Sequence, residues 1–205
     1  VLFDLIVERA WGNGEPGLLF LDEMNRCNMV PNVGVIEATN PCGEQPLIGY
    51  ESCNLGSINI SRFVKVNKID WERLEYVIKL AVRFLDNVID MNKYPISQIE
   101  TKTKATRRIG LGIMGFADLL IKLNIQYDTE DADKCANEVM RFINQHAISA
   151  SQELAEVRGV FPAYRGSLWH TERGIRLRNS AVTTIAPTGT LSIIANCSSG
   201  IEPYY

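Results

Sequence analysis

Histidine is nearly missing from this chain: His146 and His170 are the two among 205 residues. That scarcity works against a histidine-based metal centre, and it leaves no base in sequence beside any cysteine that might act as a nucleophile. Paired C-x-x-C clusters are missing too. The five cysteines, at 27, 42, 53, 135 and 197, are odd in number and irregular in spacing. A structural zinc site is therefore not expected, and thiols with room for one redox pair fit better than a disulfide framework. No apolar run approaches the roughly 20 residues needed to span a membrane, and no charged-then-apolar signal segment opens the chain. Nor is there an excess of positive charge. A formal charge of −3 and a pI near 5.5 argue against a nucleic-acid surface. A cytoplasmic chain with no nucleic-acid or membrane partner is expected. Internal repeats and low-complexity tracts are also lacking.

What is present is an ordinary globular composition, 46% hydrophobic and 22% charged. Val1 to Trp11 has helix-like apolar spacing, stopped by Gly12-Asn-Gly14. Gly17 to Leu21 is a short apolar run that suits a buried strand, and Asp22 to Asn28 a turn or short helix with Cys27 in a structural role. Val33 to Ala38 reads as extended, Leu55 to Ile60 as a strand, and Ser61 as the cap of a brief helical turn. Asp70 opens a helix to about Met91, and Ser97 caps another to about Thr106. The basic run Lys102, Lys104, Arg107, Arg108 reads as a solvated helix end. Ile109 to Ile113 is a short buried strand in which Gly110 and Gly112 mark close backbone approach. Helices follow at Phe116 to Leu123 and, between Thr129 and Gly159, from Glu130 to Val157. His146 belongs at the edge of that helix's apolar stripe, and His170 in a loop. Ala181 to Ala186 is β-branched and apolar, hence a strand, and Pro187-Thr-Gly-Thr190 turns it into a helical segment, Leu191 to Ala195. Strands and helices alternate, which predicts an α/β architecture with parallel strands.

Two stretches carry chemistry. In Ala38-Thr-Asn-Pro-Cys-Gly-Glu44, Asn40, Cys42 and Glu44 alternate, so an extended backbone would put a carboxamide, a thiol and a carboxylate on one face. Pro41 disfavours helix, and Gly43 allows close approach to the backbone. A Pro/Gly turn with a buried cysteine accounts for the same local pattern. A second cysteine follows in Tyr50-Glu-Ser-Cys53-Asn-Leu-Gly-Ser-Ile-Asn59. The other stretch is Pro187-Thr-Gly-Thr190, whose free amides, helix dipole, hydroxyls and permissive glycine make a phosphate-binding arrangement. Any capped strand-to-helix turn looks similar, and the Gly-Lys-Ser/Thr ending of a P-loop is not there.

Asn40-Pro-Cys-Gly-Glu-Gln-Pro-Leu47 with Glu51-Ser-Cys-Asn-Leu-Gly-Ser-Ile-Asn59 resembles the finger loop of ribonucleotide reductase catalytic chains, above all the adenosylcobalamin-dependent class. Arg107-Arg-Ile-Gly-Leu-Gly-Ile-Met-Gly-Phe-Ala-Asp118, Ile185-Ala-Pro-Thr-Gly-Thr-Leu-Ser192 and Ser199-Gly-Ile-Glu-Pro203 are similar to the same family, in the same order. The resemblance implies part of a ten-stranded α/β barrel over residues 1–205, with long helices outside the strands, a finger loop at about 38–47 and a phosphate turn at about 187–192. It implies that Cys42 is the thiyl radical that removes the 3'-hydrogen of a ribonucleoside di- or triphosphate, that Glu44 is the general base, and that Asn40 holds the sugar hydroxyls. Cys53 would be one member of the reducing pair, its partner lying upstream of Val1. Thr188, Gly189, Thr190 and Leu191 would hold the substrate phosphates. Adenosylcobalamin, bound mainly outside this span, and an external dithiol of thioredoxin type are the implied cofactor and reductant. The chain then reads as a piece of a larger catalytic chain, inactive alone, and expected to associate with the remainder or with copies of itself.

The tyrosines Tyr204-Tyr205 are read as structural. Other readings stay open at this point: a nucleotide-diphosphate-binding module without activity, the large subunit of a metal-dependent reductase, and a hydrolase using Cys42 and Glu44. The last lacks a histidine near the nucleophile.

Overall fold

The computed structural model describes residues 1 to 204. Helices α1 (Leu2–Asn13) and α2 (Leu21–Arg26) precede a hairpin of β1 (Ile36–Thr39) and β2 (Pro46–Ile48), then β3 (Asn54–Asn59). A 3-10 turn (Ile60–Phe63) and the short hairpin β4 (Val64–Lys65) and β5 (Lys68–Ile69) lead into α3 (Trp71–Met91), α4 (Ser97–Thr106) and β6 (Ile109–Met114). Then come α5 (Phe116–Lys122), α6 (Glu130–Arg158), α7 (Leu168–Thr171) and α8 (Gly189–Ala195). No helix among the described residues is long and apolar enough to cross a membrane.

The centre is the parallel pair β3 and β6, in continuous register from Asn54 opposite Ile109 to Asn59 opposite Met114. All six residues of β6 are buried, as expected of a parallel strand covered on both faces. On its outer side α3 and α6 pack over the sheet. Leu74, Ile78, Val82 and Leu85 of α3 meet Ile109, Leu111 and Ile113 of β6 and Val139 and Ile143 of α6 in one apolar core. Leu85 of α3 packs against the backbone of β3 at Gly56, 3.5 Å from the place a Cβ would occupy. A second cluster, Val30, Ile36, Ile48, Phe161, Tyr164, Trp169 and Leu177, seats the β1–β2 hairpin.

The third member of the sheet is less regular than its composition suggests. Residues 181–184 run beside β6, with the Ile109 and Leu111 amides donating to the Ala181 and Val182 carbonyls (3.1 and 2.9 Å) and the Thr184 amide to Leu111 (3.1 Å). A single parallel bridge, Leu111 to Thr183, is formed in place of the strand expected at Ala181 to Ala186. Beyond it the Thr184 carbonyl leaves ladder geometry and sits over Gly112, 2.2 Å from where a Cβ would be.

Three further expectations are corrected. The run expected as a buried strand at Gly17 to Leu21 is an exposed connection up to Phe20, with Leu21 opening α2, since no neighbouring strand or core among the described residues takes up Leu18, Leu19 or Phe20. Cys27 is exposed and fills no core space. Arg107 and Arg108 are no solvated helix end. The Arg107 Nε donates to Asp86 (2.9 Å) and its Nη1 to Asp90 (2.7 Å), while Arg108 pairs with Glu51 (3.0 Å). Arg107 takes a left-handed conformation (φ 47°) as the cap of α4, which turns its side chain inward toward α3. His146 is a boundary residue against Phe142 and Glu75, and His170 lies on α7.

Candidate active site

The first motif forms the tip of the β1–β2 hairpin, which is antiparallel with Thr39 opposite Pro46. The Gly43 amide donates to the Asn40 carbonyl (3.0 Å), closing a four-residue turn with Pro41 and Cys42 in the middle. Pro41 supplies the φ that the second turn position wants, and Gly43 takes φ +86° without strain. The extended arrangement with Asn40, Cys42 and Glu44 on one face is therefore not formed. Instead Cys42 stands exposed at the apex, while Asn40 and Glu44 flank it lower down. Asn40 Oδ1 accepts the Gln45 amide (3.0 Å), so its carboxamide oxygen braces the loop.

Below the turn the loop is pressed onto the sheet. The Thr184 hydroxyl donates to the Glu44 carbonyl (2.9 Å). Gln45 is buried, its Nε2 2.8 Å from the place a Cβ on Gly110 would take; the Leu55 and Thr184 methyls come within 2.5 and 2.6 Å of the same point. Gly110 is thus the cradle for the loop, as close backbone approach predicted. Glu44 Oε2 is buried with no hydrogen-bond partner among the described residues. A buried carboxylate oxygen left without a donor is costly in a resting fold.

Cys53 stands immediately before β3, half-buried. Burial pushes its thiol up to about 12, opposed by the charge of Arg108 and reinforced by Glu51 and Glu44. Leu55 of β3 and Gln45 of the hairpin both pack against Gly110 of β6, so the hairpin and β3 lie side by side on that strand. The pairing of Glu51 with Arg108 was not read from the sequence, where Arg108 counted only as part of a basic run. The fully buried Glu51 carboxylate accepts from Arg108 Nε (3.0 Å) and from the Ile48 amide (3.2 Å), fastening the end of the hairpin to the start of β6. Fifty-seven residues separate the pair, so no local spacing could have announced it.

The second motif opens α8. Thr188 is buried in a left-handed conformation, and its hydroxyl accepts the Gly200 amide (2.7 Å), so one of the two expected hydroxyls is already engaged. The first backbone bond of the helix runs from the Ser192 amide to the Thr188 carbonyl (2.8 Å). The amides of Gly189, Thr190 and Leu191 precede it and by helix geometry face out of the helix start, at exposed residues. The return loop is locked by Ser192 to Ser199 (2.9 Å) and by Asp118, which accepts the Ser198 amide (2.6 Å) and the Tyr204 hydroxyl. That hydroxyl is held up to about 12 by its bond to Asp118. Tyr204 is thus a clamp, in keeping with a structural role; Tyr205 lies outside the described residues.

Comparison with known proteins then decides the family. The profile of the ribonucleotide reductase barrel domain matches residues 1–176 and 172–205. This chain belongs to that family. It is 60% identical over its whole length to the vitamin B12-dependent ribonucleoside-diphosphate reductase of Thermoplasma acidophilum and 54% identical to that of Mycobacterium tuberculosis. The ribonucleoside-diphosphate reductase subunit alpha of Chlamydia pneumoniae is 34% identical. The alpha subunit of the class Id ribonucleotide reductase of Actinobacillus ureae superposes over 99% of the chain with a TM-score of 0.82 at 27% identity, the chain covering 39% of it. The chain spans 27% and 29% of the two B12-dependent relatives and 24% of the Chlamydia subunit. The α/β architecture is accordingly that of the ribonucleotide reductase barrel.

Proposed function

We propose that this chain is the radical-bearing and substrate-binding part of an adenosylcobalamin-dependent ribonucleotide reductase, converting ribonucleotides to deoxyribonucleotides for DNA synthesis in the cytoplasm as part of a complete polypeptide. The observation that carries the reading is the hairpin tip, where an exposed thiol stands two residues from a carboxylate with a buried, unpaired oxygen. A nucleotide-binding module without activity leaves both unexplained. A hydrolase lacks its base, since His146 lies against Phe142 and His170 against Tyr164. The names of the relatives at 60% and 54% identity favour the B12-dependent class over the metal-dependent one.

In this reading the diphosphate or triphosphate of the substrate rests on the amides of Gly189, Thr190 and Leu191, with Thr188 shaping the turn. The Cys42 sulfur takes the 3'-hydrogen as an atom, because an S–H bond is close in strength to the C–H bond it replaces. Glu44 accepts the 3'-hydroxyl proton, and Asn40 helps hold the hydroxyls. The 2'-hydroxyl leaves as water with a proton from the reducing thiols. Cys53 and a second thiol, which the family resemblance puts upstream of Val1, give two electrons and the hydrogen that replaces the hydroxyl at C2', becoming a disulfide, while Glu44 returns its proton to the 3'-oxygen. The Cys42 hydrogen then returns to C3', and an external dithiol of thioredoxin type reduces the disulfide. When bound, adenosylcobalamin supplies the homolysis that leaves the radical on Cys42. An exposed thiol at a loop apex fits delivery from outside these residues, where a buried one would not.

Cys42→Ser in the complete polypeptide tests the reading. An O–H bond is too strong to serve as hydrogen donor, so nucleotide reduction should vanish while substrate binding persists. Turnover above a few percent of wild type would remove Cys42 from the radical role.

A further inference from the structure

The phosphate turn and the thiol hairpin are distant in sequence, and one short segment touches both. Residues 181–184 are immobilised along β6 by three backbone hydrogen bonds. Upstream, the buried Asn179 donates to the Arg107 carbonyl (3.0 Å) and to Asp86 (3.0 Å), and the Trp169 indole donates to the Ser180 carbonyl (2.8 Å). Downstream, four residues on, Thr188 begins the phosphate turn. From this rail a single side-chain hydroxyl reaches across to the hairpin, Thr184 Oγ1 to the Glu44 carbonyl at 2.9 Å. The contact is specified on both sides. Gly110 leaves the gap that the Thr184 methyl and Gln45 share, and Gly112 admits the Thr184 carbonyl; a Cβ at either glycine would stand within 2.6 Å of Thr184 atoms.

We propose that Thr184 is a positioning residue for the reaction: it sets the height of the Glu44 backbone over the sheet, and so the place of the Glu44 carboxylate relative to a sugar whose phosphates, in the proposed reading, rest on the turn that follows the rail. The inference rests on the reading of Glu44 as the base. Glu44's carboxylate has a buried oxygen that no hydrogen bond among the described residues holds, so the restraint on the backbone below it matters the more for its placement. A threonine hydroxyl bonded to that carbonyl is the nearest such restraint from outside the hairpin.

The test uses the complete reductase polypeptide with its cofactor and substrate. Thr184→Val keeps the shape and the methyl but removes the donor. It should lower kcat roughly tenfold or more, as expected of a base displaced by a fraction of an ångström, with KM within about twofold of wild type. Thr184→Ser should recover most of that loss. Should the valine variant not fold, Thr184→Ala read against Thr184→Ser carries the same comparison. A role confined to folding would reduce only the active fraction; a displaced base slows the hydrogen-transfer step, so the isotope effect with 3'-deuterated substrate should rise in the valine variant. Wild-type kcat in Thr184→Val, or a lower kcat with an unchanged isotope effect, overturns the proposal. Glu44→Gln in parallel separates the two levels: full activity there removes the base assignment itself, whereas an inactive Glu44→Gln beside an unimpaired Thr184→Val removes only the positioning role.

Discussion

The reducing role proposed for Cys53 calls for a thiol that stays protonated until its partner arrives, and burial favours that form. Its pKa rises from 9.0 to about 12, so the folded chain holds the proton more tightly than the unfolded chain. The sign of the linkage follows. The stabilisation is full below the unfolded value, and it is lost as pH climbs from about 9 toward about 12, a change on the order of a few kcal/mol. Reactivity should follow the same order, because the thiolate is the nucleophile. With iodoacetamide at about pH 8, the exposed Cys27 and Cys42 should be alkylated well before Cys53. Peptide mapping over time reads this directly, and modification of Cys53 as fast as Cys42 would contradict its burial. The motif singled out both thiols as candidates. The shape of the loop was not legible there, because alternation presumes an extended chain, and the Asn40 to Gly43 turn overrides it through Pro41 and Gly43.

At the scale of elements, legibility followed locality. α3 and α6 were readable because their caps and periodicity are local: Asp70 accepts the Arg73 amide (3.1 Å), Thr129 the Ala132 amide (3.4 Å), and Gly159 ends α6 at φ +82°. What joins the elements was not readable. Asp86, fully buried on α3, accepts from Arg107 Nε at 2.9 Å, Arg158 Nη1 at 3.0 Å, Arg178 Nε at 3.4 Å and Asn179 Nδ2 at 3.0 Å. These partners come from three separate segments, so a basic run that looks solvated in sequence is in part an anchor for the rail at 177–184. The Arg107 guanidinium also holds the Asp90 carboxyl below its ordinary value. Removing one partner of a buried ion cluster leaves charge uncompensated, which typically costs about 3–5 kcal/mol. Asp86→Ala in the complete polypeptide should therefore lose amide protection over 177–184 and β6 in hydrogen exchange. Unchanged protection there would show that the apolar core alone holds the rail.

At the scale of the whole molecule, the apolar surface is distributed unevenly. None of residues 1–27 is buried, although α1 carries Leu2, Phe3, Leu5, Val7 and Trp11, and Leu18, Leu19 and Phe20 follow. On α8, Ile193 and Ile194 are 80% and 77% exposed, next to the proposed phosphate turn. The sheet built from β3, β6 and the 181–184 segment is parallel, a kind found almost only where both faces are covered, and an unpaired edge on it is a liability in water. An uncovered apolar face of ~500 Å² forgoes on the order of 12 kcal/mol of burial, comparable to the net stability of an entire domain. Residues 1–205 expressed alone should accordingly self-associate through this surface, or aggregate, and not persist as a monomer. Within the complete polypeptide the same side chains should be protected from solvent. Sedimentation of the isolated span at micromolar concentration measures the first outcome, and oxidative surface labelling of Trp11 and Phe20 in the complete protein the second. A cooperative, stable monomer would mean that the arrangement of α1 and α8 about the sheet closes on itself in solution, and that the barrel needs no covering from elsewhere.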